Sequence, residues 1–112
     1  MKWTKGFFAQ DPQELEMKIN DFFQQNDFGI TDILYDVMDS GELGIYYTAL
    51  IQYSTNKQIN PVRVFIAESP EELEKQVNFY LVDSRAEIDV SNYATLFKQE
   101  KFVFSYIATF KQ

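Results

Sequence analysis

Histidine and cysteine are both absent from this chain, so proton transfer could fall only to carboxylates, lysines and tyrosines. The same absence removes disulfides, thiolate nucleophiles and Cys/His metal centres. Stability is therefore expected not to depend on a transition metal, for want of soft and borderline ligands. Asp32 and Asp36 stand four residues apart in a strand candidate, which puts two acids on one face. Solvated strand positions explain such a pair without catalysis. Asn26-Asp27 followed by Asp32 offers oxygen ligands, but not at the spacing of a calcium loop. Gly6, Gly29, Gly41 and Gly44 do not cluster as a phosphate-binding loop requires. Glu14 and Glu72 each stand three residues after a helix cap, where capping accounts for them. No catalytic residue, metal ligand or cofactor is assigned, and the chain reads as a non-enzyme.

The elements that would position any site occur twice. Phe7-Phe8-Ala9-Gln10-Asp11-Pro12-Gln13-Glu14-Leu15-Glu16 matches Phe65-Ile66-Ala67-Glu68-Ser69-Pro70-Glu71-Glu72-Leu73-Glu74, 58 residues later. The same spacing pairs Ile19 with Val77, Asn20 with Asn78, Phe22 with Tyr80, Ile30 with Ile88 and Tyr35 with Tyr93. With one extra residue in the second copy, Tyr47-Thr48-Ala49-Leu50-Ile51 lies over Tyr106-Ile107-Ala108-Thr109-Phe110. One domain, residues 1–112, is expected, built from repeat 1 (1–54), a linker (55–60) and repeat 2 (61–112).

Each copy reads β-α-β-β, an α+β fold. Asp11 and Ser69 supply cap oxygens, and Pro12 and Pro70 take the first helical position, where a missing N–H costs nothing. Leu15, Ile19, Phe22 and Phe23 form one helix stripe, repeated by Leu73, Val77, Tyr80 and Leu81. Gly29 is expected to close the first helix and Asp83-Ser84 the second. Hairpin turns are expected at Asp39-Ser40-Gly41-Glu42 and Lys98-Gln99-Glu100. Placing the third strand between the first two makes every pair antiparallel and lets the helix cover one face. A unit of this size is marginal alone, so two units side by side sharing a core are expected.

Period-two alternation assigns the faces. Ile45, Tyr47, Ala49 and Ile51 are placed under the helices, with Phe104, Tyr106, Ala108 and Phe110. Thr4, Gly6 and Phe8, and likewise Val62, Val64 and Ile66, are placed there too. Faces of the middle strands, Ile30 to Val37 and Ile88 to Leu96, are not assigned. The opposite face then carries Trp3, Phe7, Tyr46, Leu50, Phe65, Val103 and Ile107. A contiguous apolar face of this kind marks an interface with another copy or another protein. Other covers fit the same face: a loop or chain terminus, face-to-face stacking of the two units, or a flat aromatic small molecule lying on the rings.

One Trp, seven Tyr and eleven Phe among 112 residues make the chain rich in rings that must be covered. A net charge of −7 repels nucleic acid and anionic membranes, so neither is expected as a partner. The apolar run near Met1 is too short for a signal peptide, and no segment is long enough to span a bilayer. A cytoplasmic protein is expected.

The first copy resembles the short acidic sporulation proteins of spore-forming Gram-positive bacteria. The resemblance rests on Pro12 to Phe23, on Ile30-Thr31-Asp32-Ile33-Leu34-Tyr35 and on Tyr47-Thr48-Ala49-Leu50-Ile51-Gln52-Tyr53. In the second copy Val90-Ser91-Asn92-Tyr93 keeps only the tyrosine of the first strand motif. The resemblance implies a tandem form of a single-unit fold and brings no biochemical activity with it. The β-α-β-β order is also similar to that of dodecins, small flavin-binding assemblies, without any ligand-contact residue to carry across.

Overall fold

The computed structural model describes residues 2–111. The elements are β1 (Lys2–Ala9), α1 (Pro12–Asn26), β2 (Gly29–Asp39), a 3-10 turn (Gly41–Leu43), β3 (Ile45–Ser54), β4 (Val62–Ala67), α2 (Pro70–Ser84), β5 (Glu87–Lys98) and β6 (Lys101–Lys111). They form two β-α-β-β units with three-stranded antiparallel sheets, ordered β1-β3-β2 and β4-β6-β5. The third strand of each unit is central, as expected.

Local chemistry sets the helix ends. The Gln13 N–H donates to Asp11 Oδ1 at 2.9 Å, and the Glu72 N–H to Ser69 Oγ at 3.2 Å. Asp11→Ala and Ser69→Ala are each expected to cost about 1 kcal/mol. The loss should lower the urea midpoint with its slope unchanged; a midpoint that stays put would show that the cap oxygen is dispensable. Both helices end on a left-handed residue, Asp27 and Arg85, whose N–H groups bond Phe23 and Leu81 carbonyls. Gly29 therefore does not close α1; it opens β2. Its hydrogen side chain is needed because a Cβ there would collide with the main chain of Lys57 and Gln58 in the linker.

The repeat is visible in single contacts. Lys18 Nζ donates to the Phe8 carbonyl, and Gln76 Nε2 to the Ile66 carbonyl. Both middle strands carry a bulge, between Ile30 and Asp32 and between Ile88 and Val90. The third strands align differently from the sequence expectation. Phe7 pairs with Ala49 and Phe65 with Tyr106, so Tyr106 is the counterpart of Ala49, 57 residues later. Thr48 Oγ1 donates to the Phe7 carbonyl and Ser105 Oγ to the Phe65 carbonyl, which fixes the same equivalence. The second copy is thus one residue shorter in its hairpin, not longer. Its loop is the two-residue turn Gln99-Glu100, both at positive φ.

The units stack instead of lying side by side. In the first sheet β2 lies across β5 of the second, while α1 covers β1 and flanks the free edge of β4. Ile33, Ala49 and Ile51 meet Val62, Ala94 and Ile107 in one core between the sheets. A second core, with Phe65, Leu73, Val77 and Phe110, lies between the other face of the second sheet and α2. The second sheet is therefore covered on one face by the first unit and, over β4 and β6 alone, on the other by its own helix.

Two face assignments invert. Phe7 is buried against Phe22 and Phe23 of α1, and Phe65 against Tyr80 of α2; Phe8 is exposed instead. Lys5 and Arg63 break the apolar alternation of the inner face. They share the helix-side face, where their charges sit 4.9 Å from the Phe22 ring and 4.6 Å from the Tyr80 ring. Their apolar stems pack while their cations reach the aromatic edge of the core. In β4 a second cause adds to Arg63: Val62, Val64 and Ile66 face the first unit, so both faces are apolar.

Candidate interaction surfaces

The interface inside the chain shows what these faces do when covered. Asn20 of α1 clamps the edge of β4: its Oδ1 accepts from the Val62 N–H at 2.7 Å, and its Nδ2 donates to the Val62 carbonyl at 2.9 Å. Glu16 Oε1 accepts from the Val64 N–H at 2.8 Å. These bonds satisfy an edge strand that would otherwise present open main chain. Farther along, Tyr35 and Ser105 hydroxyls meet at 2.8 Å in the buried core. The Ser105 proton is committed to the Phe65 carbonyl at 2.9 Å, so Tyr35 is the donor. Burial pushes the Tyr35 phenol well above its ordinary pKa, with the Ser105 bond opposing. Tyr47 is also raised, by burial first and the Asp11 carboxylate second. Both phenols stay neutral at physiological pH. Asn92 Nδ2 donates across the sheets to the Ile33 carbonyl. Lys98 Nζ lies 2.7 Å from Asp39, and that bond with the Gly41 N–H holds the Asp39 carboxyl below the usual carboxylate range.

Among the described residues, two apolar faces remain uncovered. The outer face of the first sheet carries Phe8, Leu34, Met38 and Leu50, each between 41% and 54% exposed, around half-buried Tyr46. The Phe8 and Tyr46 rings stack at 4.4 Å. Residues paired across the strands, Gly6 with Leu50 with Leu34 and Met38 with Tyr46, form two rows with Phe8, Thr48 and Asp36 between them, and the Phe8–Tyr46 stack joins the two. The second face belongs to the second sheet beside α2. That helix packs on β4 and β6 and leaves Tyr93, Phe97 and Phe102 about half exposed. Phe97 and Phe102 rings lie 4.6 Å apart, and Phe104 continues the row at 5.6 Å. Between α2 and this row runs a groove lined by Leu73, Glu74, Val77, Asn78, Tyr93 and Tyr106.

The seven residues expected on one open face are thus distributed over four places. Tyr46 and Leu50 lie on the exposed outer face of the first sheet. Val103 and Ile107 face the first unit, half-buried and fully buried respectively. Phe7 and Phe65 lie under the helices. Trp3 shares the helix-side face with Lys5 and Phe7 by register but is 51% exposed. Sequence reasoning missed Phe8, Leu34 and Met38 and the whole row from Tyr93 to Phe104. The usable signal for that row was Phe97 opposite Phe102 across a two-residue turn.

Asp32 and Asp36 share the outer face, as their spacing predicts, but each Oδ1 accepts the next residue's N–H, Ile33 and Val37. Four residues of strand separate them by roughly 13 Å, too far to share a proton. Among the described residues no three carboxylates gather into a metal-binding group, and no helix is long and apolar enough to cross a membrane. Comparison with known proteins finds no match: no family model, no curated protein and no solved structure aligns with the chain.

Proposed function

We propose that this chain is a non-enzymatic protein that works through protein contacts, with copies of itself as the first partner. The observation that carries the reading is the outer face of the first sheet, where Phe8, Leu34, Met38 and Leu50 stand exposed together. The corresponding face of the second sheet, with Ile107 and Val103, is covered by protein within the chain. Exposed clusters of large apolar side chains of this kind mark binding surfaces. A flat aromatic ligand stacked on the rings is the competing reading.

The test is the mass of the purified protein by light scattering over a wide concentration range, with its absorbance spectrum. Mass rising with concentration is expected, and replacing Leu34 and Leu50 together by Ser should suppress the rise while circular dichroism stays unchanged. A wild type that stays monomeric at millimolar concentration overturns self-association. A bound chromophore absorbing beyond Trp and Tyr would favour the ligand reading.

A further inference from the structure

From the repeat we infer that a second copy docks head to tail: the outer face and β1 edge of one chain enter the groove between α2 and β5 of the next. This rests on the self-association reading and names its geometry. The two uncovered faces are the counterparts of the two faces that bury each other inside the chain. Within the chain, the helix-side face of unit 1 receives the back of the second sheet. The part of unit 2's helix-side face beside α2, with Tyr93, Phe97 and Phe102, is free, and so is the back of the first sheet. Repeating the same placement puts a second chain's first sheet where a third unit would lie.

The polar contacts have their counterparts in place. Glu74 and Asn78 line the groove at the positions of Glu16 and Asn20, which clamp the β4 edge. Neither of the two makes a side-chain hydrogen bond or ion pair among the described residues. Their targets would be Thr4 and Gly6, the counterparts of Val62 and Val64. The alternation that turns the Phe8 carbonyl outward to Lys18 also turns the Thr4 and Gly6 main chain to the open edge. Tyr93 holds the position of Tyr35, and Thr48 that of Ser105. Thr48 already donates to the Phe7 carbonyl, which leaves its oxygen to accept from the Tyr93 hydroxyl, as Ser105 accepts from Tyr35.

The docking face is more polar than its counterpart, since Asp32 and Asp36 stand where the second sheet has Val90 and Ala94, and the apolar exchanges lie around them. On the groove side Tyr106 replaces Ala49, and on the incoming edge Gly6 and Thr4 replace Val64 and Val62. Leu50 stands for Ile107 and Met38 for Leu96 on the docking face. A face that meets a different face is a heterologous contact, so the assembly grows past two chains or closes as a ring. The charge of −7 per chain opposes it, so added salt should strengthen association.

Two single variants test the geometry. Asn78→Glu blocks the groove and Leu50→Glu blocks the back face; both sites are exposed in the single chain. Each variant alone should be monomeric at concentrations where the wild type assembles, with association weakened at least tenfold. An equimolar mixture should form two-chain particles and nothing larger, because one intact groove then meets one intact back face. Circular dichroism checks each fold; Leu34→Glu and Tyr93→Glu are the second pair should either first variant unfold. If the wild type assembles but the mixture stays monomeric, or Asn78→Glu assembles like the wild type, head-to-tail docking is wrong while self-association stands. If the wild type never assembles, both fail.

Discussion

Ile107→Ala is expected to destabilise the protein by about 2–5 kcal/mol, the range for a buried Ile truncated to Ala. Ile107 has no exposed surface and lies in the core shared by both sheets, beside Ile33, Ala49 and Val62. Neighbours on β4 and β5, Val64 and Asn92, hold the strands to either side in register, so the cavity cannot collapse by a local shift. Its counterpart Leu50 is 45% exposed on the outer face, and Leu50→Ala should cost under about 1 kcal/mol. Urea unfolding of the two variants makes the comparison, and the contrast isolates the effect of covering the same position. Equal losses would show that the stacked arrangement of the units does not protect Ile107.

Much of the fold was legible because the signals were local. Asp11-Pro12 and Ser69-Pro70 mark helix starts through cap chemistry that involves only a few neighbouring residues. Tyr47, Ala49 and Ile51 alternate cleanly because β3 is buried on one face alone. The stacking of the units was not legible, since nothing in β4 or β6 distinguishes burial by a helix from burial by another sheet. The hairpin length was misjudged because matching Tyr47-Thr48-Ala49 to Tyr106-Ile107-Ala108 improves residue identity, whereas backbone pairing sets Ala49 against Phe7 and Tyr106 against Phe65. That two-residue shift preserves side-chain parity, so the third-strand faces survived it. The candidate surfaces depended on the first strands, where Lys5 and Arg63 disguise the inner face, and there alternation failed.

Asn20→Ala is expected to cost about 2–3 kcal/mol, from two lost hydrogen bonds and the main-chain groups of Val62 left without partners. The clamp joins α1 to β4, so it links the two units directly instead of stabilising either one. Asn20→Asp should be no rescue. A carboxylate still accepts from the Val62 N–H, but it turns an acceptor toward the Val62 carbonyl, where the amide had a donor. Hydrogen exchange adds a local readout: the Val62 and Val64 amides, bonded to Asn20 and Glu16, should lose protection before the amides of β3. Asn78→Ala, at the corresponding place on α2, should leave the stability of the single chain within about 0.5 kcal/mol, the range for a surface site without such features. If Asn20→Ala and Asn78→Ala cost the same, the α1–β4 bonds contribute nothing beyond what water supplies. The repeated Asn would then be a relic of duplication with no energetic role at either site.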